Sequence, residues 1–259
     1  MSSRATATPR RTVAIAGFAV LLIGVVALTM AALAPGKAAE VLGKSKAPPP
    51  SCPTPKKSPK PEETCQVVAR VTAFQTTANG KRAIFKVPSD GHIVAWSIDL
   101  SKPNKDERQT LTDEFEFGAP SARLAILRQA SKSKFRLTKQ SPKVKLDKHL
   151  GTEPVFTLRK PIRVQKKTVI GLTTQNWASN FAHDGRLTEN GDKWRASRSR
   201  RKCGDDPNKS NKENQADLRE SKPHKKVGTT RTYGCTYDEG RILYKAYFVP
   251  ARSGDGSGE

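Results

Sequence analysis

The densest chemistry in this chain is a basic run headed by an aromatic residue, Trp194-Arg195-Ala196-Ser197-Arg198-Ser199-Arg200-Arg201-Lys202. Guanidinium groups hold phosphate and carboxylate through paired N–H donors, and an indole face stacks on planar or sugar surfaces. Arg195, Arg198, Arg200 and Arg201 are therefore candidate anion-binding residues, with Trp194 and, upstream, Trp177 as candidate stacking contacts. Such a set suits anionic cell-envelope polymers or phospholipid headgroups. Aromatics beside arginines also suit single-stranded nucleic acid, but the exported location argued below speaks against it. A plainer reading stands beside these, because large aromatics fill cores and charge runs coat solvated faces.

Catalytic signatures are missing from the sequence. It contains no Gly-x-Ser-x-Gly, His-Glu-x-x-His, phosphate-binding loop or dinucleotide fingerprint. Asp90-x-His92 and His183-Asp184 have the spacing of a base and its orienting carboxylate, yet Ser89-Asp90-Gly91 reads first as a turn. Asp113, Glu114 and Glu116 are acidic neighbours, and glycoside hydrolysis needs two carboxylates facing one cleft about 5–10 Å apart, which adjacency does not establish. The cysteines lack the close pairs of a structural zinc site. The expectation is a protein with no catalytic residue, metal or cofactor.

Charge and cysteines bear on location. Lys and Arg total 47 against 24 Asp and Glu, a formal charge of +23 that favours anionic partners. The excess is spread widely, with 21 basic against 9 acidic residues in 65–182. Residues 13–34 carry no charge, follow Arg4, Arg10 and Arg11, and match the ~20 residues that cross a bilayer. They read as a transmembrane anchor or a signal segment, with 1–12 cytoplasmic and the bulk outside. Cys52, Cys65, Cys203 and Cys235 are an even set, as disulfides in an oxidising compartment require. Three pairings exist, and proximity favours Cys52–Cys65 with Cys203–Cys235.

The elements that must position these residues are strands. Residues 35–64 hold eight prolines among lysines and read as an extended linker. From Cys65 the apolar residues alternate in short runs broken by Asn79-Gly80, Ser89-Asp90-Gly91 and His149-Leu150-Gly151, the pattern of strands and turns. Strands are predicted at 66–74, 81–87, 92–99, 122–128, 134–139, 153–159, 161–164 and 168–174, with Trp96 in the core. Residues 183–230 are polar and read as a long irregular, mostly mobile loop, with a charged helical turn near 213–220. Alternation returns over Arg241–Val249, predicting a closing strand that pairs with an early one. The expected fold is all-β, an antiparallel β-sandwich of jelly-roll type over 65–250, followed by a disordered tail at 251–259.

The segments VPSDGHIVAWSIDL, EFEFGAPSARLAILRQ, FRLTKQSP, LGTEPVFTLRKPIRV, VIGLTTQNWASNFA, WRASRSRRKC and TRTYGCTYDEGRILYKAYFVP give the chain a resemblance from about Cys65 to Pro250. In their order they resemble a family of uncharacterised exported proteins of high-GC Gram-positive bacteria. The resemblance implies a β-sandwich behind a signal or anchor, with a Trp-Arg-Ala-Ser-Arg element at 194–198 before Cys203 and a Tyr-Gly-Cys element at 233–235. It implies no activity and supplies no catalytic residues. Gln165-Lys166-Lys167 departs from it where a Gly turn is usual, and Asn176-Trp177-Ala178-Ser179-Asn180 lacks a Pro often found there. The resulting expectation is a non-enzymatic envelope-binding domain. Its rivals are a structural surface protein without a ligand and a hydrolase or lyase acting on envelope polysaccharide.

Overall fold

The computed structural model describes residues 39–51, 65–183, 187, 189–204, 207–238 and 240–251. Short alternating runs form strands here because one face of each can be buried while the other meets water or a second layer. Every pairing between the described strands is antiparallel. One sheet has the order β1 (Glu40–Leu42), β15 (Tyr244–Pro250), β4 (Gly91–Ile98), β8 (Val155–Val164). A second, nine-stranded sheet runs β12 (Thr230–Thr232), β6 (Lys134–Gln140), β5 (Ser121–Gln129), β9 (Val169–Ala178), β2 (Val68–Ala78), β11 (Lys193–Ala196), β13 (Cys235–Tyr237). There β3 (Lys81–Arg82) joins β2 and β7 (Val144–Lys145) joins β5. A two-stranded ribbon pairs β10 (Phe181–Ala182) with β14 (Arg241–Ile242). The chain is thus all-β with few helices, and its closing strand pairs with two early ones, β1 and β4.

Local chemistry explains the joints. Asn79 and Gly80 take φ of 48° and 72°, the left-handed pair of a tight hairpin between β2 and β3. At the start of β4, a Cβ on Gly91 would lie 2.3 Å from the carbonyl oxygen of Val249, so only glycine lets β15 come this close. The two runs predicted at 153–159 and 161–164 are one strand, β8, that continues through Pro161. The missing N–H is tolerated because β8 lies at a sheet edge, and the register slips between Thr157 and Ile162.

One hydrophobic cluster draws on both large sheets: Ile93, Trp96, Ala246 and Phe248 from the smaller, Val71, Leu124, Ile126 and Leu172 from the larger. The larger sheet buries apolar side chains on its other face too, where Phe74, Leu127, Phe135 and Leu137 pack with Tyr233. At the edge of that face Gly228 donates to the Leu137 carbonyl and Leu137 to the Thr229 carbonyl. The described part of 183–230, predicted to be a loop with a helical turn near 213–220, carries β11 inside the sheet and a full helix, α2 (Asn211–Glu220), beyond it. Helix α2 has almost no apolar face to announce it. It is held by a Ser210/Glu213 capping box, by Lys209–Asp217 and Lys202–Glu220 ion pairs, and by Arg219 lying 4.3 Å above the Phe115 ring.

After α2 the chain inserts His224 into the protein, fully buried. Its Nδ1 lies 3.2 Å from the Tyr233 hydroxyl and its Nε2 2.9 Å from Thr229 Oγ1, and its N–H donates to Thr72 Oγ1 at 3.0 Å. Burial, and then Arg231, lowers the His224 pKa below the ordinary 6.5. The sign of the consequence is fixed. Between the lowered native value and 6.5, the unfolded chain binds a proton that the native chain refuses. Stability is therefore complete above pH 6.5 and falls as pH drops below it. Urea midpoints measured across about pH 5–8 should show this decline, and His224→Gln should flatten it; an unchanged slope in the variant would assign the decline elsewhere.

The Pro-rich linker also needs correction at its start. Residues 40–51 lie on the domain: β1 joins a sheet, Ser45 and Lys46 accept hydrogen bonds from Arg241, and Ser51 bonds to Phe181 and His183. Lys44 and Lys46 did not predict this, because the apolar pair Val41-Leu42 that docks is too short to read as a strand. Residues 13–34, 53–64 and 252–259 lie outside the described residues, where no anchor, linker or tail can be assigned. No helix among the described residues is long and apolar enough to cross a membrane. Cys203 and Cys235 form a disulfide with Cα atoms 5.4 Å apart. Cys65 is also disulfide-bonded, and its expected partner Cys52 lies outside the described residues.

Candidate anion-binding site

The hairpin β2–β3, the start of β9 and the outer strands β11 and β13 surround an open groove of about 850 Å³. Arg82, Lys86, Lys167, Lys193 and Arg195 line it, and no carboxylate does among the described residues. Its floor is apolar, formed by Phe74, Phe135 and Val169. Positive charge without internal neutralisation, over a low-dielectric floor, focuses a field that attracts anions. Arg195 is fixed in place, donating from Nη1 to the Lys132 carbonyl at 3.0 Å and from Nε to Thr236 Oγ1 at 3.4 Å. Lys193 is partly neutralised by Asp238 outside the groove, at 3.2 Å.

The residues singled out by sequence separate in three dimensions. Alternation along β11 and the turn after it sends the basic run to three different places. Arg195 alone enters the groove. Arg198 is buried and donates to the Tyr237 hydroxyl at 2.9 Å, Ser221 Oγ at 3.0 Å and the Ala69 carbonyl at 3.3 Å, so it binds protein. Arg200 and Arg201 are exposed on a single 3-10 turn, Arg200–Lys202. The two tryptophans are not surface platforms. Trp177 is fully buried against Leu111 and Phe117, with Nε1 donating to the Gly118 carbonyl at 2.8 Å. Trp194 is 8% exposed, because the Tyr237 ring stacks on it at 4.2 Å and Phe181 meets it edge-on at 5.7 Å.

No family model, curated protein or solved structure matches this chain. The reading of the groove therefore rests on its own geometry. Arg82, Lys86 and Lys167 come from separate turns and strands, and Lys193 stands one residue before the basic run on β11. Lys167 takes φ +69° without being glycine. A lysine in a left-handed turn costs about 1 kcal/mol.

The acidic candidates also resolve. Asp90 Oδ1 accepts the Lys166 N–H at 2.7 Å, so it ties the turn before β4 to the turn after β8. Glu114 bonds Thr110 within a short helical segment, and Glu116 sits at φ +51° with its carbonyl held by Arg70. Asp184 lies outside the described residues. A carboxylate pair absent from the sequence reading does share a hollow of about 130 Å³: Asp99 and Glu153, beside Lys245. Glu153 Oε1 takes Lys245 at 2.6 Å and Ser97 Oγ at 3.1 Å. Burial, followed by the charge of Glu153, raises the Asp99 pKa above the ordinary carboxyl value. No group of three His, Cys, Asp or Glu side chains able to hold a metal occurs among the described residues.

Proposed function

We propose that this is an exported, membrane-anchored, non-enzymatic β-sandwich that captures anionic polymers of the cell envelope. The cluster shared by the two large sheets supports the sandwich, and the uncharged run at 13–34 with the disulfides supports export. The observation that carries the binding function is the groove, with five cations and, among the described residues, no lining carboxylate. Capture is electrostatic, with Arg82, Lys193 and Arg195 paired to successive anionic groups while Phe74 and Phe135 exclude water beneath them. Arg200 and Arg201 extend the positive surface without a built site.

The test is binding of the full chain to a phosphate-rich and to a neutral polysaccharide over a salt series. Affinity for the phosphate-rich polymer should fall steeply with salt, since each neutralised anion releases a counterion. Arg82→Gln/Lys193→Gln/Arg195→Gln should weaken it about tenfold, at roughly half a kcal/mol per exposed pair. Equal binding by the variant, or salt-independent binding to the neutral polymer, would sink the reading. The pairing of Asp99 with Glu153 favours one rival, polysaccharide hydrolysis. New reducing ends appearing in the same incubations would move the conclusion there.

A further inference from the structure

β1 starts at Glu40 opposite Phe248, and two residues further along β15 Pro250 pairs with Gly91, which pairs with Val164. The chain thus enters the domain at the end of the smaller sheet where the turns before β4 and after β8 meet. Around them Lys86, Arg128, Lys166 and Lys167 line a second hollow of about 480 Å³, again without a carboxylate among the described residues. The acids at this end are Asp90, already engaged by the Lys166 N–H, and Glu40 on β1.

The tether to this end is short. Only residues 35–39 separate Ala34, the end of the uncharged run, from β1. Six Cα steps of at most about 3.6 Å limit their reach to about 20 Å. The residues that follow add nothing to it, because β1 and the contacts of Ser45, Lys46 and Ser51 hold them on the domain. Screening cuts attraction off beyond about 8 Å in physiological salt. A domain on a long stalk would escape that range, whereas a five-residue tether from an anchored run would let this end reach it.

We infer that the end of the domain carrying Lys86, Arg128, Lys166 and Lys167 rests on anionic phospholipid headgroups. This rests on the membrane-anchored reading above, and it assigns these four residues to lipid while Arg82, Lys193 and Arg195 face the polymer. Each basic side chain near such a surface strengthens adhesion about fivefold.

The test places the full chain in vesicles of phosphatidylcholine alone or mixed equally with phosphatidylglycerol, and follows lysine acylation by mass spectrometry. Lys86, Lys166 and Lys167 should react at least about fivefold more slowly in the anionic vesicles. Lys102 and Lys105, beyond the opposite end of β4, should react alike in both. Arg128→Gln/Lys166→Gln should restore Lys86 reactivity. Equal reactivity of a chain that resists alkaline extraction would overturn the docking and leave the anchor standing. Release of the chain by alkaline extraction would remove the anchored reading, and the docking with it.

Discussion

Replacing Arg241 with Met should lower the unfolding free energy by about 3–5 kcal/mol and the melting temperature by about 10 °C. Arg241 is 2% exposed and Asp192 fully buried, and the two form an ion pair at the centre of a polar knot. The guanidinium also donates to Ser45 Oγ, the Lys46 carbonyl and Asn79 Oδ1, and Asp192 accepts the Asn79 N–H at 2.8 Å. Met fills the space but leaves a carboxylate buried and unpaired, which is the costly half of the change. Arg241→Lys should rescue little, because one ammonium cannot match a planar fork that serves four partners. Asp192→Asn combined with Arg241→Met should be more stable than Arg241→Met alone, since no charge is then stranded. Thermal and urea melts check each step, and a loss below about 1 kcal/mol in Arg241→Met would mean the pair behaves as a solvated one. The knot also straps residues 45–46 to the domain. Because β1 still pairs with β15 in Arg241→Met, the tether of residues 35–39 and the lysine protection expected on anionic vesicles should stay unchanged.

The strands were legible wherever burial alternates residue by residue. Trp96, Leu124 and Ile126 stand on inward faces as their spacing predicts, and Asn79-Gly80 makes the turn its conformational freedom allows. What stayed hidden was structure stabilised by polar contacts. Helix α2 depends on caps and ion pairs, β11 on neighbours from distant sequence, and the docked 40–51 on a buried arginine 195 residues away. None of these leaves an apolar period to read. The site was hidden for a related reason. A basic run along a strand and its following turn points its members to opposite faces, so Arg195 and Arg198 part company. The groove collects its cations from four separate stretches instead, and only the folded sheet brings Arg82 and Lys167 to the same rim.

Replacing Cys203 and Cys235 together with Ser should remove about 3–4 kcal/mol of stability, by the chain entropy of a loop closed across 32 residues. The bridge matters beyond that entropy because of what it fastens. β13 is a three-residue edge strand whose one strand partner among the described residues is β11, and it carries Thr236, which steadies Arg195, and Tyr237, which covers Trp194. Tyr237 in turn donates to the Cys203 carbonyl at 2.7 Å and accepts from Arg198, so the disulfide, the aromatic stack and the buried arginine form one unit. Without the bridge β13 should fray. Trp194 would then meet water and its emission shift to longer wavelength, while Trp96 and Trp177, fully buried elsewhere, keep theirs. The groove would lose its Thr236 wall, and polymer affinity should fall with the same reductant dependence as the fluorescence. An unchanged urea midpoint on reduction would mean that the Trp194–Tyr237 stack and the β11 pairing alone hold this edge. A lower midpoint with unchanged polymer affinity would separate the fold's need for the bridge from the site's, and would place the binding contact on Arg82 of the β2–β3 hairpin rather than on the β11 side.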